Sequence, residues 1–132
     1  MSNSLTRDLL RLVEDCELNA KNVSYRWAQQ FHLMPPCGWL NDPNGLHQRD
    51  GVFHAFYQYD PTDAEGNGSK MWGHAISRDL MKWEDLGAAL LPDESFDCHG
   101  VYSGSALVHD GIVSLFYTGC LLYTSPSPRD RG

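Results

Sequence analysis

Several absences narrow the reading before any motif is considered. No apolar stretch approaches the roughly 20 residues needed to span a bilayer, so no membrane partner is expected. The best N-terminal run, "LLRLV" from Leu9 to Val13, is broken by Arg11 and followed by Glu14 and Asp15. It does not read as a secretory signal, and a cytoplasmic address is the expectation. Cations are scarce, with 10 Lys and Arg against 17 Asp and Glu and a formal charge of -7. Phosphate binding needs clustered Lys and Arg, so nucleic acid is not an expected partner. The four cysteines, Cys16, Cys37, Cys98 and Cys120, include no CxxC pair. That argues against zinc and redox motifs, and in a reducing compartment they are expected to stay free. The six histidines, His32, His47, His54, His74, His99 and His109, show no HExxH or paired spacing. No metal site and no cofactor are expected.

What is present suits one soluble globular unit: 132 residues, 42% of them hydrophobic. Leu5, Leu9, Leu12, Val13 and Cys16 share a face at helical spacing, which predicts one amphipathic helix over Ser4 to Ala20 with a structural role. From Phe31 the texture is strand and turn. "GVFHAFYQYD" (Gly51 to Asp60) and "GIVSLFYTG" (Gly111 to Gly119) are rich in aromatic and β-branched residues. Each follows an Asp-Gly pair, a strong hairpin signal. The two segments resemble one another at an offset of about 60 residues. "MWGHAIS" and "WEDLGAALL" supply two further short strand candidates between them. The class is all-β behind a short N-terminal helix. Four short strands per repeat fits a β-propeller, but a sandwich would give a similar pattern.

"GWLNDPNG", Gly38 to Gly45, is the stretch with most chemical content. Pro43 pushes Asp42 into an extended conformation, and Asn44-Gly45 tolerates the positive φ of a tight turn. A carboxylate pinned in this way loses little entropy on reaching a substrate, as a nucleophile requires. Trp39, three residues earlier, is read as standing on the same side, free to stack on a sugar ring. Asx-Pro turns are also common on protein surfaces, so on these residues alone an exposed hairpin is the favoured reading.

The block "FHLMPPCGWLNDPNGL" closely resembles the N-terminal signature of glycoside hydrolase family 32, which holds invertases, fructan hydrolases and sucrose-6-phosphate hydrolases. The resemblance continues in order through "HAFYQYDP", "GSKMWGHAISRDLMKW", "GVYSGSALV" and "FYTG", and covers Phe31 to Gly119. It implies a partial five-bladed β-propeller, about the first blade and a half. It implies that Asp42 is the nucleophile of a retaining mechanism on a β-fructofuranosidic bond. The substrate would be sucrose 6-phosphate, sucrose or a fructan. By the same resemblance Asn41 and Gln58 hydrogen-bond fructose hydroxyls, while Trp39, Leu40, Trp72, Tyr102 and Ser103 line the pocket. Some members of the family carry a tryptophan in the loop that here reads "TDAEGNG", and this chain has none.

The resemblance also shows what to miss. A retaining glycosidase needs a second carboxyl as acid/base, and the family places it in a Glu-Cys motif downstream of an Arg-Asp-Pro motif. Neither occurs here; "SRDL" at Ser77 to Leu80 lacks the proline and matches a structural block. Glu84, Asp85, Asp93 and Glu94 read as surface charges. His32 and His74, inside family blocks, read as buried and hydrogen-bonded, and Trp83 as core. The ending "CLLYTSPSPRDRG" changes character at Cys120 and resembles the in-frame translation of a sequencing adapter. The expected division is therefore a helical segment over 1–24, propeller over 25–119, and a non-native stretch over 120–132. On that reading the 132-residue product lacks its acid/base and turns over no sucrose. A non-catalytic sugar-binding propeller is the alternative from another class.

Overall fold

The computed structural model describes residues 3–22 and 26–122. The expected boundary at 24/25 and the stretch from 123 onward lie outside those residues. Helix α1, Ser4–Lys21, begins where the Asn3 side chain caps the Thr6 amide at 2.8 Å. The Thr6 hydroxyl donates to the Asp93 carboxylate at 2.7 Å, which ties the helix start to the distant segment after the first sheet. At the other end the Asn22 amide turns back onto the Ala20 and Asn19 carbonyls.

Four strands form an antiparallel meander in sequence order: β1 Trp39–Arg49, β2 Val52–Asp60, β3 Met71–Ser77 and β4 Glu84–Leu90. A separate hairpin pairs β5, Val101–His109, with β6, Ile112–Gly119. Both expected Asp-Gly hairpins form, with positive φ at both loop residues: 50° and 75° at Asp50-Gly51, 49° and 76° at Asp110-Gly111. Two left-handed residues in succession match the twist of the flanking strands, as a type I′ loop requires. The shared sequence texture of the two segments is therefore a shared hairpin.

β2 is the centre of the molecule. Its residues from Ala55 to Asp60 are all buried, because both faces of the sheet are covered. On one face Tyr57 and Tyr59 pack with Val13 of α1, Met71 and Ala75. On the other, Phe56 packs with Trp72 and Val101, and Leu115 and Tyr117 of β6 close over them. The buried phenols find acceptors: Tyr57 donates to Asp85 at 2.6 Å and Tyr59 to Glu17 at 3.0 Å. Burial pushes both phenol pKa values far up, helped by the Asp85 carboxylate at Tyr57 and by the Cys37 thiol and then Glu17 at Tyr59.

Several expectations are corrected here. Asp93 is half-buried and accepts Thr6, so it is not a mere surface charge. Glu84, Asp85 and Glu94 are exposed as expected, though Asp85, in β4, also accepts Tyr57. His32 is exposed and not buried. His74 does pack: its ring stacks on Phe56 with centroids 4.2 Å apart, and its Nε2 lies 3.0 Å from His54 Nδ1. Trp83 packs against the α1-side core, as expected. "SRDL" is a structural turn, in which Ser77 Oγ accepts the Leu80 amide and Asp79 Oδ1 accepts those of Met81 and Lys82. The four cysteines are free. No helix among the described residues is long and apolar enough to cross a membrane.

Candidate functional site

The segment read as a tight turn is a bulged strand. Residues Asn41 to Gly45 lie inside β1, with register shifts between Leu40 and Pro43 and between Asn44 and His47. Pro43 lacks an amide donor, yet β1 lies at the end of the sheet order and the proline stands at an irregularity, where strands tolerate it. The first shift leaves Asn41 and Asp42 without partners on β2. A bulge re-aims side chains that regular pairing would fix. Gly45 is needed twice over: its φ is 52°, and a Cβ would come within 2.9 Å of Phe56 and 3.4 Å of Trp72. A regular strand would set Trp39, three residues before Asp42, on the opposite face, so the placement of the two by alternation is withdrawn.

A second bulge faces the first. On β5, Tyr102 pairs with Thr118 and Gly104 with Tyr117, which leaves Ser103 unpaired. The Ser103 hydroxyl donates to Asp42 Oδ2 at 3.0 Å, and both residues are exposed. Two unpaired residues 61 positions apart thus converge on one accessible carboxylate.

The β5 segment that delivers Ser103 is fastened to the first sheet along its length. Val101 N donates to the Lys70 carbonyl at 2.8 Å and Val101 O accepts Gln58 Nε2 at 2.9 Å. Tyr102 O accepts Trp72 Nε1 at 3.1 Å, and Gly104 N donates to Asn44 Oδ1 at 3.1 Å. Gln58 and Trp72, 1% and 0% exposed, are therefore behind the site, holding β5. Leu40 packs on the α1-side core, apart from the carboxylate. Trp39 and Tyr102 remain exposed at the surface around it, at 37% and 41%.

Trp39 is held from two sides. Its Nε1 donates to Asn41 Oδ1 at 2.9 Å. Gly66, with φ 73°, lies against the indole so closely that a Cβ would be 2.8 Å from the ring. The 61–70 loop is organised by buried Asp60, whose carboxylate accepts the Thr62 amide and hydroxyl and, at 2.7 Å, the Gly68 amide. Lys70 Nζ stands 3.6 Å from the same carboxylate and also donates to the Gly66 and Gly68 carbonyls. This clasp was missed in the sequence; the only signal was a lone Asp before proline with a Lys ten residues on.

The description "Glycosyl hydrolases family 32 N-terminal domain" matches residues 32–127. The chain belongs to glycosyl hydrolase family 32. Among family 32 relatives, the sucrose-6-phosphate hydrolase of Zymomonas mobilis subsp. mobilis is 45% identical over 117 residues, covering 87% of this chain and 23% of that protein. The raffinose invertase of Escherichia coli is 48% identical over 93 residues, 70% of this chain and 19% of that protein. The solved GH32 beta-fructofuranosidase of Bombyx mori superposes with a TM-score of 0.77 at 35% identity, covering 93% of this chain and 25% of that one. The chain thus spans roughly a fifth to a quarter of the length of these family 32 proteins.

Proposed function

We propose that this chain supplies the nucleophile of a retaining β-fructofuranosidase acting on sucrose 6-phosphate or sucrose. The observation that carries the reading is the exposed Asp42 carboxylate, set on one bulge and held at 3.0 Å by a hydroxyl from another. Asp42 attacks the anomeric carbon of the fructosyl unit as the glycosidic C–O bond breaks, and the departing oxygen takes a proton from a separate acid. Water then cleaves the fructosyl–Asp42 ester. Asn41, Trp39, Tyr102 and Ser103 surround the ring. Gln58 and Trp72 act from behind by fixing β5, and Leu40 supports the strand from the core side.

The four-stranded sheet reads as one propeller blade and the β5–β6 hairpin as half of the next, after a helical segment over 1–24 and with propeller over 25–119. We read the stretch 120–132 as non-native, although the family match runs on to residue 127, and the address as cytoplasmic. Support for a sugar substrate comes from solved family 32 proteins: a Bombyx mori variant with sucrose and a Cichorium intybus fructan exohydrolase with 1-kestose. The test compares the complete gene product with its Asp42→Ala variant on sucrose and sucrose 6-phosphate. Turnover should fall on the order of 10⁴-fold, and the 132-residue chain alone should show none. Sugar binding without turnover by the complete product would replace this reading with a non-catalytic propeller.

A further inference from the structure

We propose that Asn44 is a positioning residue that sets the contact between Asp42 and Ser103. The inference rests on the reading of Asp42 as nucleophile. The Asp42–Pro43 peptide has no N–H, so its carbonyl is the only handle by which hydrogen bonding can orient it. Asn44 takes that handle: its Nδ2 donates to Asp42 O at 3.2 Å. The other Nδ2 hydrogen goes to Gln58 Oε1 at 2.9 Å, and Oδ1 accepts the Gly104 amide at 3.1 Å. Gln58 in turn donates to Val101 O at 2.9 Å, which closes the circuit on β5. One side chain therefore fixes the backbone at Asp42 and the backbone beside Ser103.

Asn44 is 2% exposed, and its amide orientation is fully determined, because Gln58 supplies the acceptor and Gly104 the donor. Its neighbours in the bulge cannot substitute for it: Pro43 lacks a donor and Gly45 has no side chain. Asn44 belongs to neither hydrophobic core, so its substitution removes polar contacts between the first sheet and β5 while leaving the apolar packing of both in place. What the circuit controls is the distance from the carboxylate to its hydroxyl partner. A displacement of about 1 Å at a reacting group costs on the order of 100-fold in rate.

The experiment uses the complete gene product and its Asn44→Ala, Asn44→Asp, Val13→Ala and Asp42→Ala variants, with sucrose as substrate. Val13 lies in the α1-side core and serves as a stability control. Both Asn44 variants should lose about 100-fold in kcat, with KM within about threefold and melting temperatures no lower than that of Val13→Ala. Asn44→Asp, which keeps an acceptor for the Gly104 amide, decides the matter if Asn44→Ala does not fold. A kcat within threefold of the parent, or an equal loss in Val13→Ala, overturns the proposal. So does failure of both Asn44 variants to fold, which would make Asn44 a folding residue. A parent that turns over sucrose and is silenced by Asp42→Ala, but not by the Asn44 variants, refutes this inference alone. A parent indifferent to Asp42→Ala refutes the nucleophile reading beneath it.

Discussion

Gly104→Ala should loosen the β5–β6 hairpin far more than the same substitution at Gly111. An added Cβ at Gly104 would lie 1.8 Å from the Phe116 carbonyl oxygen and 2.7 Å from Phe116 C and Tyr117 Cα. All three are backbone atoms, so no rotamer change relieves the clash, and the strands must separate. Overpacking of this kind costs about 1–3 kcal/mol, and losing one ladder hydrogen bond adds about 1 kcal/mol. The expected total is about 2–4 kcal/mol. At Gly111, where φ is 76° and nothing lies within 4 Å, only the left-handed backbone penalty applies, about 1 kcal/mol. Hydrogen exchange of the β6 amides reads local stability directly. At about 1.4 kcal/mol per tenfold, Gly104→Ala should speed exchange roughly 30- to 1,000-fold and Gly111→Ala about fivefold. Because Ser103 adjoins Gly104, the first variant should also lose turnover in the complete gene product while the second keeps it. Equal exchange rates in the two variants would refute the reasoning.

Two further outcomes follow from the buried polar groups. Burial and the neighbouring imidazoles of His54 and His47 lower the His74 pKa from 6.5 to about 4, so its neutral form belongs to the native state. Stability held above pH 6.5 should decline as pH falls toward 4, by about 1–2 kcal/mol after allowance for solvent at a half-buried ring. An NMR titration placing His74 near 6.5, or the same decline in His74→Gln, would contradict this. Lys70→Met leaves the 0% exposed Asp60 carboxylate with its hydroxyl and amide donors but no cation. It should cost about 3 kcal/mol and release the 61–70 loop from Trp39, read as a change in the Trp39 side-chain resonance. Asp60→Asn in the same chain should recover part of that loss.

How legible each element was depends on where its determinants lie. The hairpins announced themselves, because Asp-Gly encodes a local backbone requirement that no distant contact can override. The helix did likewise, through its one-sided spacing. Pro43-Asn44-Gly45 misled for the same local reason: proline and glycine read as a turn, whereas the chain runs on through a bulged strand because Gly45 must pass over Phe56 and Trp72. β2 concealed its alternation, since α1 covers one face and β6 the other. At the candidate site, Asp42 and Ser103 could each be singled out from the sequence, but not their mutual contact. The support from Gln58, Trp72, Asn44 and the Lys70 carbonyl depends on β5 folding back over the first sheet, which no local pattern encodes.

Whether Asp42 forms a covalent bond to a fructosyl unit can be read by acid-quenching the complete gene product during sucrose turnover and mapping its peptides by mass spectrometry. One fructosyl adduct is expected on the peptide containing Asp42, absent from the Asp42→Ala variant. Turnover with no adduct at Asp42, or an adduct on a different carboxylate, would contradict it.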